Sequence, residues 1–187
     1  MQDETDLETM LRRAGIPLQS WGRGEAKTLG ELWRELRVGD CELGEHDGRL
    51  ERRVRVVQVE IRRPTGDGGT VVLVEAEQVL ADGRRRRRGL LPAEKMRLDE
   101  EPVVGALRCM AEELGVEEAD VHVDADGITE HASQQTSPSY PGLETRYVFY
   151  RVPVRCDVLP DHDWVGEETG DAVTRHHWQW WAQAPSP

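Results

Sequence analysis

The sequence is poor in the features that mark secreted, metal-knuckle and membrane-spanning proteins. Its 187 residues include only three cysteines, at 41, 109 and 156, and no CxxC pair. Neither a disulfide framework nor a zinc knuckle is therefore expected. No apolar run approaches the about 18 residues that a membrane helix needs. The acidic start MQDETDLETM lacks the features of a secretory or transit peptide. Together these absences predict a cytoplasmic protein without a membrane partner.

Basic residues are also in deficit. There are 24 lysines and arginines against 36 aspartates and glutamates, which gives a formal net charge of −12. Because phosphate affinity comes from basic groups, nucleic acid is an unexpected partner. One segment runs against this balance, namely the five consecutive arginines at 84–88. They recognise phosphate groups, form a nuclear-localisation or nucleic-acid patch, or form a strand whose charge balances the acidic surface.

Length and patterning predict one compact domain at 51–187, with a small helical extension at 1–50 packed on it. The extension is expected to hold two helices, at 6–13 and 28–39, the second opening with the capping box Thr28-x-x-Glu31. A long helix is expected from Pro102 to a C-terminal cap at Gly115. Its expected apolar stripe consists of Val103, Leu107, Met110, Ala111 and Leu114.

Strands are expected on both sides of that long helix. They lie at 54–61, 71–74, 84–88, 121–123, 146–155 and 176–181. The two connections after 123 and 155 are expected to be loops, one polar and reaching Gly142, the other acidic and spanning 157–171. Since one helix interrupts the strands, the pattern favours a mixed α/β fold over a doubly wound parallel sheet.

The most informative segment is PAEKMRLDEEPVVGALRCMAEELGV, at 92–116. It aligns without gaps on the pattern G-x5-E-x7-R-E-U-x-E-E-x-G-U, in which U is aliphatic. The matching residues are Glu100, Arg108, Met110, Glu112, Glu113, Gly115 and Val116. The sequence therefore resembles the Nudix hydrolase family, with a degenerate Nudix box from Glu94 to Val116. That resemblance implies an α/β/α sandwich with a mixed sheet.

The resemblance also implies a set of site residues. Arg108, Glu112 and Glu113 would be catalytic, and the two glutamates would hold Mg²⁺ or Mn²⁺, weakly if at all. The phosphate-binding residues would be Lys95, Arg86 and Arg88.

Two positions depart from the family pattern. Glu94 stands where the first glycine belongs, and Cys109 stands where a glutamate belongs. Residues 109, 112 and 113 share one helix face by their spacing. Mg²⁺ requires hard oxygen ligands, whereas a thiolate is a soft ligand. A carboxylate from outside the box would therefore have to supply the missing metal ligand. The candidates are Glu130, Glu144, Glu167 and Glu168.

Two functions follow from these features. In the first, a Nudix-like domain binds a diphosphate-containing ligand or a protein partner, and its hydrolysis is weak or lost. In the alternative, it is an active Mg-dependent hydrolase of nucleoside diphosphate derivatives. The tryptophan-rich strand at 176–181 is not followed by a helix pattern, so one sheet face is covered either by the N-terminal helices or by a partner.

Overall fold

The computed structural model describes residues 2–24, 26–167 and 173–185. Within these ranges the α-helices are α1 (Glu4–Arg13), α2 (Leu29–Val38) and α3 (Pro102–Leu114). The strands are β1 (Glu42–His46), β2 (Arg49–Pro64), β3 (Thr70–Leu80), β4 (Arg85–Leu90), β5 (Ala93–Lys95), β6 (His122–Val123), β7 (Thr129–Thr136), β8 (Glu144–Arg155), β9 (Trp164–Glu167) and β10 (Val173–Trp181). The predicted α/β class is confirmed, and the strands and helices match the expected Nudix-like α/β/α sandwich.

Helix α2 begins as its sequence predicts. The amide of Thr28 donates to the Glu31 carboxylate at 2.7 Å, and the amide of Glu31 donates back to the Thr28 hydroxyl at 3.2 Å. This reciprocal pair satisfies two amides that a helix start otherwise leaves without acceptors. The helix ends at Gly39, which has a left-handed φ of 83°.

Helix α3 carries the box, and it also begins and ends where predicted. Pro102 stands in its first turn, and Gly115 caps it with a φ of 66°. The predicted apolar stripe is confirmed at Met110 and wrong at Ala111, which is exposed, because the buried face consists of Gly105, Ala106, Cys109 and Met110. Small residues permit close packing of a helix, and reading only the large aliphatic side chains misplaces that face. Cys109 therefore points into the protein interior.

The chain forms two compact units. The first comprises residues 1–56, 95–100 and 130–149. Its core contains Leu7 and Leu11 from α1, Leu32 from α2 and Val54 from β2, together with Trp21, Cys41, Tyr140 and Leu143. Trp33 packs against the same cluster. The N-terminal helices thus pack on strand residues of this unit, and the covering of the sheet face at 176–181 stays a prediction. The predicted division at residue 50 stays a prediction.

The second unit comprises residues 57–94, 101–129 and 150–187. At its centre β3 pairs antiparallel with β4 on one side and with β10 on the other. The strand order through β3 is β6-β8-β2-β3-β10-β9. Residues after β10 contribute to packing here, because Ala184 contacts a cluster of Val72, Val74 and Leu91.

Four strands form where loops or no element were expected. They are β1, β5, β7 and β9. The sequence of β7, TEHASQQT, is polar and its strand is exposed along almost its whole length. An exposed strand without apolar alternation gives no periodic signal, since its stability comes from pairing with β8. No helix in the described part of the chain has the length and hydropathy to cross a membrane.

Candidate functional site

An irregularity at Ala76 in β3 shapes the candidate site. Gln78 lies opposite His176 of β10, and Glu75 lies opposite Trp178, so Ala76 between them has no partner on that strand. An unpaired extra residue of this kind re-aims the side chains on either side of it. Glu75 and Gln78 consequently share a face, and Gln78 Nε2 donates to Glu75 Oε1 at 2.6 Å.

Glu75 is the centre of a buried polar cluster on that face. Besides Gln78, it contacts His176, whose Nδ1 lies 2.5 Å from Glu75 Oε1, and Arg88, whose Nε donates to Oε2 at 3.2 Å. Burial by itself would raise the pKa of Glu75, yet the bonds from His176 and Gln78 and the charge of Arg88 bring that pKa below its ordinary value. Glu75 is therefore a carboxylate at neutral pH. These four residues are called the Glu75 cluster below.

The box helix reaches this cluster through Glu113. Its Oε2 lies 3.9 Å from Nδ1 of His176, and its side chain is 21% exposed. The imidazole of His176 is also stacked on Trp178, with ring centroids 5.8 Å apart. A box glutamate, a buried histidine and an arginine of β4 therefore meet at one place in the second unit.

The neighbouring box glutamate points elsewhere. Glu112 accepts a hydrogen bond from Arg108 Nη1 at 2.9 Å, and its side chain is 52% exposed. Arg108 Nη1 also lies 3.8 Å from Glu94 Oε1. Glu94, the residue that replaces the first glycine of the pattern, thus takes part in the ion pairs around Arg108. Glu112 and Glu113 make different contacts despite being adjacent in sequence.

Cys109 has no exposed surface. Burial raises the pKa of its thiol well above the ordinary value, and the nearby carboxylates of Glu113 and Glu94 raise it further. A neutral, buried thiol is neither a nucleophile nor a metal ligand. Among the described residues no group of three or more His, Cys, Asp or Glu side chains is placed to hold a metal ion. The donor set present does not fit the three-carboxylate Mg²⁺ site that the resemblance implies.

The arginine run divides between the two faces of the sheet, as strand alternation predicts. Arg86 Nη2 donates to Gln78 Oε1 at 2.5 Å, next to the bond between Arg88 and Glu75. Arg85 instead pairs with Glu77 at 3.0 Å. Arg86 therefore contacts Gln78 of the Glu75 cluster, to which Arg88 itself belongs.

Lys95 belongs to the first unit, where its Nζ lies 3.2 Å from Glu35 Oε1. Its predicted contact with phosphate remains a prediction.

The candidates for a further carboxylate ligand are scattered. Glu144 accepts a hydrogen bond from Thr136 Oγ1 at 3.0 Å, and Glu130 is exposed on β7. Glu167 is exposed on β9 opposite Arg175. Glu168 lies outside the described residues.

Sequence reasoning missed Glu75 and His176. A signal exists for Glu75, a polar residue directly after the apolar run at 71–74, whereas His176 stands between the polar residues Arg175 and His177. Simple alternation, however, would place Glu75 and Gln78 on opposite faces, and the register shift at Ala76 is not visible in the sequence.

Comparison with known proteins gives structural likenesses only. No protein-family model matches the sequence, and no curated protein matches it. An Ap4A hydrolase of C. elegans is similar at 16% identity and a TM-score of 0.39, over 69% of this chain and 80% of that one. A Nudix hydrolase of M. smegmatis, RenU, is similar at 15% identity and a TM-score of 0.38, over 67% and 68%. A MutT/nudix family protein of Enterococcus faecalis is similar at 19% identity and a TM-score of 0.40, over 82% and 50%. With TM-scores below 0.5, these likenesses say nothing about what this chain binds.

Proposed function

We propose that this Nudix-like domain binds a small diphosphate-containing ligand beside the Glu75 cluster and that its hydrolytic activity is weak or lost. The observation that carries the proposal is the burial of Cys109 at the box position where the family pattern has a glutamate. The substitution removes an oxygen ligand and replaces it with a side chain that packs in the core. Binding of a diphosphate without hydrolysis needs only the positively charged side chains at the Glu75 cluster.

The cations would act as follows. Arg88 uses Nε in its bond to Glu75, and its side chain is 30% exposed. That bond fixes the plane of the guanidinium, whose Nη groups are suited to bidentate contact with phosphate oxygens. Arg86 is the more exposed of the two and would take the second phosphate group. Glu75 would thus be a positioning residue, and Arg86 and Arg88 would be the ligand contacts.

Within the described residues, the metal that the resemblance implies has no complete site. Glu112 and Glu113 are the residues that would hold Mg²⁺, but one is bonded to Arg108 and the other lies beside His176. We derive no hydrolytic step from two such carboxylates. Replacing a catalytic metal ligand generally costs orders of magnitude in rate.

An active hydrolase is the second candidate, because both paired glutamates are present on the last turns of α3 and both have exposed surface. In that case Arg108 would orient Glu112, and a carboxylate from outside the box would complete the site.

Two measurements separate these candidates. Calorimetric titration with inorganic pyrophosphate should show binding that weakens about tenfold or more in Arg88→Gln and in Arg86→Gln, since each loses a charge-assisted contact. The matched control is Arg87→Gln, which changes the same strand on its other face. Equal affinity in all four proteins would overturn the proposed binding site.

The second measurement is product release from a panel of nucleoside diphosphate derivatives with Mg²⁺ or Mn²⁺. We expect the wild-type rate to equal that of Glu113→Gln and Glu112→Gln. A wild-type rate that Glu113→Gln abolishes would establish the active hydrolase instead.

A further inference from the structure

The other face of the same three strands carries a groove that shares only Arg88 with the proposed diphosphate site. Its volume is about 520 Å³, and its floor includes Ala76 and Glu77 of β3. Arg85 and Arg87 of β4 line one side, and Trp181 of β10 lines the other. We call this the Trp181 groove. Its arginines alternate with Arg86, which contacts Gln78 of the Glu75 cluster on the opposite face.

Trp181 is held as an exposed aromatic platform. Its indole lies over Gly89 of β4 so closely that a Cβ there would come within 3.3 Å of the ring. Gly89 also has a φ of 61°, a conformation that glycine adopts without strain. The indole Nε1 donates to Gln179 Oε1 at 3.1 Å, which fixes the ring in its plane. The side chain nevertheless keeps 37% of its surface exposed.

The groove is positively charged although the chain as a whole is strongly acidic. Three guanidinium groups line it, from Arg85, Arg87 and Arg88, against the single carboxylate of Glu77. Glu77 pairs with Arg85 at 3.0 Å. Arg87 forms no salt bridge with any described residue and is exposed. A cation without an acidic partner beside an exposed indole matches an anionic ligand that also carries an aromatic ring.

We propose that the Trp181 groove binds a single nucleotide, with its base stacked on Trp181 and its phosphate held by Arg87 and Arg85. Stacking of a base on an indole tolerates any base because every base has a π-face. One platform accommodates one base, whereas a nucleic-acid strand needs successive platforms along its path. The net charge of −12 also opposes a long polyanion far more than a mononucleotide.

The test uses the full chain and adenosine 5′-monophosphate, titrated by calorimetry at fixed ionic strength. Wild type should bind, and Trp181→Ala and Arg87→Gln should each weaken binding by about tenfold or more. Arg84→Gln is the matched control, since it removes a neighbouring arginine that pairs with Asp82 and does not line the groove, and it should leave this affinity unchanged. Binding of inorganic pyrophosphate should instead depend on Arg86 and not on Trp181 or Arg87, so failure of this site and failure of the Glu75-cluster site are distinguishable.

Three outcomes would overturn the proposal. The first is no binding of the nucleotide by a wild-type protein that is folded by its melting curve. The second is an affinity lost in Arg86→Gln and kept in Arg87→Gln, which would place the nucleotide at the Glu75 cluster. The third is a ten-nucleotide oligodeoxyadenylate that binds more than tenfold tighter than the mononucleotide through Trp181 and Arg87, which would make the groove a nucleic-acid site.

Discussion

Glu35 in the first unit and Glu75 in the second are both buried beside positively charged side chains, and the two surroundings differ. In the first unit Glu35 lies 2.6 Å from Lys27, 2.6 Å from Arg52 and 3.2 Å from Lys95. In the second unit Glu75 has one arginine, one histidine and one glutamine as partners. Both side chains are less than a tenth exposed. Burial alone would raise the pKa of each carboxyl, and in both cases the partners overcome that penalty.

The difference separates a structural ion pair from a binding surface. Glu35 ties α2 to β2 through Arg52, whose side chain is 4% exposed and lies over the ring of Tyr140 at 5.0 Å. Glu75 instead orients Arg88, which keeps access to solvent. The contrast therefore lies between the two arginines: Arg52 is buried with Glu35, whereas Arg88 is 30% exposed and able to bind an anion.

The comparison is tested most severely by creating a further buried glutamate that lacks such cations. Cys109→Glu should lower the free energy of unfolding by about 5 kcal/mol, because an ionised carboxylate without enough partners pays its full desolvation cost. Urea denaturation followed by circular dichroism measures this loss. Cys109→Ala, the control, should cost about 1 kcal/mol. Stability near wild type in Cys109→Glu would mean that the side chain at 109 reaches solvent.

Neutralising the enclosed glutamate should have the next largest effect. Glu35→Gln is expected to lower the free energy of unfolding by about 3–5 kcal/mol, since Arg52 then stays buried without its counter-ion. The same urea denaturation measures it. Glu8→Gln, which removes an exposed pair with Arg12 on α1, should cost less than about 0.5 kcal/mol. Similar losses in the two variants would contradict a special role for Glu35.

Acid should remove the stabilisation that Glu35 provides. Its partners lower its pKa from 4.5 to about 2. As the pH falls below 4.5 the unfolded chain takes up a proton that the folded protein resists, so stability is full above that value and is lost towards pH 2. Denaturation midpoints at the two ends of this window should differ more in wild type than in Glu35→Gln. Equal differences would show that other carboxyls cause the acid sensitivity.

Glu75→Gln should cost less than Glu35→Gln, about 1–3 kcal/mol, because His176 and Arg88 lose a charged acceptor but Arg88 can still reach water. Urea denaturation gives the value, and Glu77→Gln on the other face of β3 is the control. A loss as large as that of Glu35→Gln would remove the distinction between the two glutamates.

The smallest effect is expected from Glu112→Gln. Its bond with Arg108 spans one helical turn and its side chain is 52% exposed. Pairs of this kind contribute about 0.3–0.5 kcal/mol. A change above about 1 kcal/mol in the unfolding free energy would show that the pair does more than cover the surface of α3.

Much of the fold could be predicted because local chemistry determines it. The capping box at Thr28, Pro102 at the start of α3 and Gly115 at its end each act within one helical turn, and all three are confirmed. The strand at 84–88 is also confirmed, with Arg86 and Arg87 on opposite faces. The polar strand β7 was missed because nothing in its own residues distinguishes pairing from solvation.

The candidate site was harder to predict because it depends on contacts between distant parts of the chain. The box pattern located Arg108, Glu112 and Glu113, but it could not show that Cys109 lies on the buried face of α3. Glu75 and His176 are 101 residues apart in sequence, and only the sheet register brings them together. The roles of Arg86 and Arg88 in binding remain predictions.

Ala76 gives the central strand a property that concerns insertion and deletion rather than substitution. Between Glu75 and Glu77 the chain advances two residues while β10 advances one, from Trp178 to His177. Deleting Ala76 would remove the surplus residue and leave every other pairing with β10 in register, whereas deleting a paired residue would turn half of the strand over. A one-residue deletion at position 76 should thus preserve the register with β10 but enlarge the existing irregularity towards β4, which already advances three residues, from Leu90 to Arg87, between the same two positions.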